Sequence, residues 1–252
     1  MNPTYFDQTR DDPPINPADF TRDHQYRTFY CGHCGSELTV PLKCGNRFCS
    51  VCMHGPRARV RLRLQQLFGK VKVTGQKRLK LVTLTVPNQA DAYDAFRLLV
   101  QSFRKLRGTA WWKKHVDGGV YVMEATFRND LWHVHLHCII LALYMPQAEL
   151  SDLWKTASGA IIVDVRQIRK GTDTIQYLTK YVTKTDVPLE QQGKLSYALK
   201  GSRLYSTFGS WHSIKLKVPR VECPCKKCGS NDWVWEGFLD ANRHKNLWST
   251  FG

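Results

Sequence analysis

No run of eighteen apolar residues occurs in this sequence, and its first thirty residues are poor in aliphatics and carry Pro13, Pro14 and Pro17. The first absence excludes a membrane-spanning helix and the second a secretory leader, so a soluble, non-secreted protein is expected. Internal repeats and low-complexity tracts are also missing. So is any Gly-x-x-x-x-Gly-Lys-Ser/Thr loop, and with it the signature of an ATP-driven motor. Acidic residues are absent from the whole interval between Glu37 and Asp91, which holds eleven Lys and Arg. A polyanionic partner fits that imbalance and the formal net charge of +16, nucleic acid ahead of an anionic membrane, with a merely solvated basic face as the plainer alternative.

What is present is globular. The 252 residues, 42% of them hydrophobic, suffice for one sizeable domain with a small appendage or for two modest domains. Residues 57–70 predict a basic helix with Val60, Leu64, Leu67 and Phe68 as its apolar stripe and Arg57, Arg59, Arg61 and Arg63 as candidate DNA contacts. "KRLKLVTLTVPN" (77–88) alternates and is β-branched, a strand ended by Pro87. Phe96, Leu99, Val100, Phe103 and Leu106 predict a helix over 90–107. Residues 118–127 and 131–143 predict a hairpin turning on Asn129-Asp130. A helix at 147–157, a strand at 160–168 and a helix at 173–185 follow, while "RLYSTFGSW" is strand or loop. The order implies an α+β fold, a central antiparallel sheet with flanking helices, plus small zinc-binding elements.

The chemistry concentrates in "NDLWHVHLHCIILAL" (129–143). Side chains alternate across a strand, so His133, His135 and His137 share one face and Cys138 the other. With Asn129 and Asp130 as the loop, Thr126 faces His133, Glu124 faces His135 and Val122 faces His137. His135, His137 and Glu124, with His133 beside them, then form a nitrogen and oxygen donor set for a divalent ion that keeps open positions. Ordinary strand histidines are the alternative, and a slip of one residue would move Glu124 to the wrong face. His212 and His244 sit in no metal-ligand pattern. On the helix "IQYLTKYVTK", Tyr177, Tyr181 and Lys184 share a face bordered by Lys180. Two phenols beside two ammonium groups suit a phosphodiester substrate, provided the phenol is activated; core tyrosines with snorkelling lysines are the alternative.

These stretches carry a resemblance. "HLHCII" resembles the histidine–hydrophobic–histidine motif of the HUH endonucleases, "YLTKYVTK" the Tyr-x-x-Lys-Tyr-x-x-Lys motif of rolling-circle replication initiators, and "LVTLTVPN" the strand motif that precedes both. They occur in the family's order between residues 79 and 184. "CGNRFCSVC" followed by an Arg-rich helix is similar to the segment before the catalytic domain in replication proteins of small plasmids. Those proteins commonly have glutamate where this chain has Tyr177; paired tyrosines resemble single-stranded DNA phage initiators and some single-strand transposases. The resemblance implies nicking and joining of single-stranded or hairpin origin DNA, with Mn2+ or Mg2+ held by His135, His137 and Glu124. It implies Tyr181 as principal nucleophile, Tyr177 in the alternate role, a separate host helicase, and a cytoplasmic place in a bacterial or archaeal cell. Transposition by the same chemistry and a non-catalytic zinc-containing regulator are the competing functions.

Nine cysteines without a leader argue for metal rather than disulfides. Setting Cys138 aside, Cys31, Cys34, Cys44, Cys49, Cys52, Cys223, Cys225 and Cys228 allow one or two structural Zn2+ sites. One partition joins Cys31 and Cys34 to Cys49 and Cys52, leaving Cys44 with the C-terminal cluster. Another keeps Cys44, Cys49 and Cys52 together with Cys31 or Cys34. The expected organisation is a flexible arm (1–30), a zinc-binding element (31–56), a catalytic domain (57–200) and a C-terminal segment (201–252).

Overall fold

A computed structural model of the chain describes residues 26–42, 54–168, 187–217 and 224–239. Its spine is the long hairpin of β4 (Val116–Arg128) and β5 (Leu131–Ala142). Asn129 and Asp130 between them both have positive φ, 51° and 59°. A two-residue turn of that hand matches the twist of the strands it joins, and Asn and Asp tolerate it better than most residues with a Cβ. The turn sets the register, so Arg128 pairs with Leu131, Thr126 with His133, Glu124 with His135 and Val122 with His137, as the turn chemistry predicts.

β3 (Arg78–Thr85) lies on the other side of β5, β6 (Val163–Gln167) beyond β3, and β7 (Tyr205–Gly209) beyond β4. The result is a five-stranded antiparallel sheet of order β6-β3-β5-β4-β7 with helices on both faces, the expected α+β class. β3 stops at Thr85, shortly before Pro87, which has no N–H to give a ladder. β6 is shorter than the predicted strand, and Ile161 and Ile162 stand exposed before it. The stretch "RLYSTFGSW" resolves as β7, so the division drawn at residue 200 does not coincide with an edge of the sheet. The predicted helix at 173–185 lies outside the described residues.

Alternation on β5 divides the core. Trp132, Val134, Leu136, Cys138 and Ile140 point to one side, where α2 (Ala92–Gly108), α3 (Ala110–His115), α4 (Gln147–Ser158) and α5 (Leu189–Ala198) cover them. α2 buries Phe96, Leu99, Phe103 and Leu106 at helical spacing, and the Asp91 side chain caps it by accepting from Asp94 N–H. On the other side, α1 (His54–Lys70) lays Val60, Leu64 and Leu67 on Val120, Val122, Ile139 and Leu141. α1 covers only part of that face, and the histidines lie on the remainder.

A second sheet of three antiparallel strands has the order β2-β1-β8, with β1 (Tyr26–Cys31) between β2 (Glu37–Pro41) and β8 (Trp233–Leu239). It joins the two ends of the chain. The zinc element expected at 31–56 and the C-terminal segment therefore share one sheet, and β1 comes from residues expected to be a flexible arm.

Candidate active site

Three strands supply the site by alternation alone. On the face of the sheet shared with α1 stand Thr83 and Thr85 from β3, His133, His135 and His137 from β5, and Glu124 from β4. Glu124 pairs in register with His135, but its carboxylate reaches diagonally. Oε2 accepts from Nε2 of His137 at 2.9 Å, and both side chains are buried. The imidazoles of His135 and His137 lie nearly parallel, their centroids 6.2 Å apart. Nδ1 of each ring sits 3.2 Å from a threonine hydroxyl, Thr83 for His137 and Thr85 for His135. Nε2 of each ring is therefore the nitrogen not met by a threonine, and that of His137 faces Glu124.

Burial, then the neighbouring His137, holds the His135 pKa below its ordinary value, against the pull of the Glu124 carboxylate. A neutral imidazole with a bare nitrogen is the form that binds a cation. His133 stands further along the strand, its Nε2 3.4 Å from the backbone carbonyl of Arg128 beside the turn. It extends the histidine row without joining the cluster. Thr83 and Thr85 were overlooked as site residues. Their signal was present as Thr-x-Thr on a strand, but nothing local says that this strand lies against His-x-His.

The α1 arginines flank the site. Arg59, Arg61 and Arg63 are exposed while Val60, Leu64 and Leu67 are buried beneath them. Arg63 Nη1 donates to the Tyr205 hydroxyl at 3.0 Å, and Tyr205 pairs with Val122, two residues from Glu124. The amino-terminal half of α1 thus reaches the end of the sheet where the histidines lie. The side chain of Arg57 lies outside the described residues, as do Tyr177, Lys180, Tyr181 and Lys184.

The cysteines assemble differently from either predicted partition. Cys31, Cys34, Cys225 and Cys228 bring their sulfurs within 4.8 Å of one another, with Cys31–Cys228 and Cys34–Cys225 both at 3.5 Å. A tetrahedron of Zn–S bonds has edges of about 3.8 Å, so the set can hold a metal such as zinc. It is the one group of three or more His, Cys, Asp or Glu ligands so gathered among the described residues. The reason is β1–β8 pairing, which puts the turn after β1 beside the turn before β8.

The two turns are copies. Both read Cys-x-x-Cys-Gly-Ser, with Gly35 and Gly229 at φ of 67° and 74°. Gly35 N–H donates to Cys31 O at 2.8 Å and Gly229 N–H to Cys225 O at 2.7 Å, and the first cysteine of each donates its own N–H to the carbonyl of Ser36 or Ser230, at 2.9 and 2.8 Å. The repeated Gly-Ser was the overlooked signal for this pairing. The Ser36 hydroxyl, then its N–H, draws the Cys34 thiol down to about 6. Against the N–H of Ser230, burial and the neighbouring sulfurs push Cys228 up to about 12. Four thiols this close resist ionising together, and a bound cation removes that conflict. Cys44, Cys49, Cys52 and Cys223 lie outside the described residues. Cys138 is buried among apolar side chains of the main core, its thiol pushed far up by burial.

Comparison with known proteins gives one match. A model of a family described as replication protein matches residues 36–224. No curated protein and no solved structure matches the chain. The matched span contains the histidine row and α1, whereas all four clustered cysteines lie just outside it. Among the described residues no helix is long and apolar enough to cross a membrane.

Proposed function

The chain belongs to the replication protein family, and from that premise we propose that it initiates rolling-circle replication by nicking and rejoining single-stranded DNA at an origin. The observation that supports the chemistry is the placement of His135, His137 and Glu124 side by side on one face of the sheet, with His137 against Glu124 and a threonine hydroxyl at each Nδ1. Two imidazole nitrogens and a carboxylate are donor types that Mn2+ or Mg2+ accepts while keeping positions for phosphate oxygens. Such an ion, when bound, supplies polarisation of the scissile phosphate and neutralises charge gathering there. His133 borders this set as a further candidate.

In this reaction the phenolic oxygen of Tyr181 bonds to phosphorus as the P–O3′ bond breaks. The products are a 5′-phosphotyrosine and a free 3′-hydroxyl, whose oxygen gains one proton for the one the phenol gives up. Tyr177 repeats the exchange on the regenerated junction, and the 3′-hydroxyl so freed attacks the Tyr181 phosphotyrosine, closing the strand as the Tyr181 phenol is released. Lys180 and Lys184 lower the cost of the phenolate and hold the phosphate. Arg57, Arg59, Arg61 and Arg63 run along the strand's backbone beside the site. Zinc on the cysteine cluster is structural, strand separation falls to a host helicase, and the setting is the cytoplasm of a bacterial or archaeal host. Family membership favours replication over transposition.

The test is a labelled single-stranded origin oligonucleotide incubated with protein and Mn2+. A covalent adduct is expected, lost in Tyr181→Phe and in His137→Ala and retained for the first cleavage in Tyr177→Phe. No adduct with any single-stranded substrate would leave a DNA-binding protein without this chemistry; loss in Tyr177→Phe alone would exchange the tyrosine roles.

A further inference from the structure

β3 runs antiparallel to β5 with Thr83 opposite His137 and Thr85 opposite His135. Each hydroxyl lies 3.2 Å from Nδ1 of the imidazole across from it, so Thr-x-Thr answers His-x-His one to one. We propose that Thr83 and Thr85 are positioning residues whose hydroxyls hold the two rings by Nδ1 and leave Nε2 to ligate, and that hydroxyls are used because they suit both tautomers. The proposal rests on the metal-dependent reading above and adds to it how the donor atoms are aimed.

The chemistry runs through one proton. A neutral imidazole carries its proton on either nitrogen, and a nitrogen that ligates a cation must be bare. Without an ion, Nε2 of His137 is 2.9 Å from a carboxylate oxygen that only accepts, so Nε2 bears the proton. Nδ1 is then bare and accepts from the Thr83 hydroxyl. For Nε2 to serve as a ligand the proton must sit on Nδ1, which then donates to that same oxygen. Backbone carbonyls and carboxylates, the usual outer partners of ligand histidines, only accept and so fit one of these two states. A hydroxyl fits both without turning the ring.

Local structure makes the hydroxyls dependable. A β-branched side chain on a strand has few χ1 choices, so Oγ1 is placed by the backbone. The end of β3 is itself tied down, because Trp154, fully buried in α4, donates Nε1–H to the Thr85 carbonyl at 2.6 Å. The plainer explanation is that these threonines are strand residues chosen for shape. In that case their methyl groups matter and their oxygens do not.

Valine and serine separate the two. Full-length protein carrying Thr83→Val with Thr85→Val keeps the shape and loses the hydroxyls; the double serine variant keeps the hydroxyls and loses the methyls. Binding of Mn2+ alone, followed by electron paramagnetic resonance, is expected to weaken about ten- to a hundredfold in the valine variant and less than about threefold in the serine variant. The single valine variants carry the same expectation at one ring each. In metal-free protein, long-range 15N correlation spectra should show the His137 proton on Nε2 in wild type and in Thr83→Val alike, because the Glu124 carboxylate holds it there. Wild-type Mn2+ affinity in the valine variant, or equal weakening by serine, overturns the proposal. His137→Ala distinguishes the two levels. If it abolishes Mn2+ binding and valine does not, only the threonine role falls; if it too leaves binding intact, the metal site itself is wrong.

Discussion

The histidine face and the cysteine cluster gather donor atoms over very different lengths of chain. Glu124 and His137 are 13 residues apart on one hairpin, whereas Cys31 and Cys228 are separated by 197. Closing the longer interval in a flexible chain costs about 2 kcal/mol more, from the logarithmic dependence of loop entropy on length. The hairpin repays its closure with a ladder and a core on both faces of the sheet, so its ligands are placed whether or not an ion is present. Among the described residues the three-stranded sheet has no comparable core. Val234, Trp235 and Phe238 on β8 are more than half exposed. One set of donors is therefore placed by the fold alone, and the other is expected to need its metal to hold its sheet.

The largest effect expected from that contrast follows removal of zinc from the cysteine cluster. Apparent binding energies of structural zinc sites are about 10–16 kcal/mol, and zinc held by these four cysteines would put that energy into folding the small sheet. Chelation, or Cys225→Ser with Cys228→Ser, should leave the amides of β1, β2 and β8 exchanging freely while those of β3, β4 and β5 stay protected. Hydrogen–deuterium exchange read by peptide checks this directly. Protection persisting in β1 and β8 without metal would mean that strand pairing alone holds the ends together. Loss of protection in β5 would mean that the two sheets fold as one unit, and the contrast would vanish.

The opposite experiment sharpens it. Glu124→Gln preserves size and an acceptor for His137 but removes the negative charge. Adduct formation with Mn2+ should fall by about a hundredfold or more, in line with loss of a ligand or its closest partner. Bound zinc and protection of the small sheet should not change. A variant that nicks at the wild-type rate would remove Glu124 from the donor set and leave the two histidines to find another carboxylate.

The same difference in span explains what the sequence disclosed. The hairpin register could be deduced because turn chemistry and a period of two are local: Asn129-Asp130 fixes the pairing, and counting does the rest. The α1 stripe of Val60, Leu64 and Leu67 was legible for the same reason. Thr83 and Thr85 were visible only as a pattern, because which strand flanks β5 depends on a crossover through α2 and α3. The grouping of Cys31 and Cys34 with Cys225 and Cys228 depends on β1 meeting β8, a contact between chain ends that no spacing encodes. Its one trace was the repeated Cys-x-x-Cys-Gly-Ser. β7 was left open because its five residues, with Ser206 and Gly209 among them, carry little apolar alternation.

The smallest effect concerns the arginines proposed to carry DNA to the histidine face. Arg59, Arg61 and Arg63 stand exposed on α1, in the stretch without acidic residues, and their helix covers the face on which the histidines lie. Neutralising one phosphate contact on a single strand changes the slope of log affinity against log salt by about 0.7. Arg59→Ala should therefore flatten that slope by about this amount and cost a few-fold in affinity at moderate salt. Arg63→Ala should do the same and also release Tyr205, whose hydroxyl it holds at 3.0 Å. Fluorescence anisotropy of a labelled oligonucleotide across about 50–200 mM salt measures both. If neither slope moves, the strand approaches the histidines from the β6 side instead, and the basic helix is a solvated flank of the site.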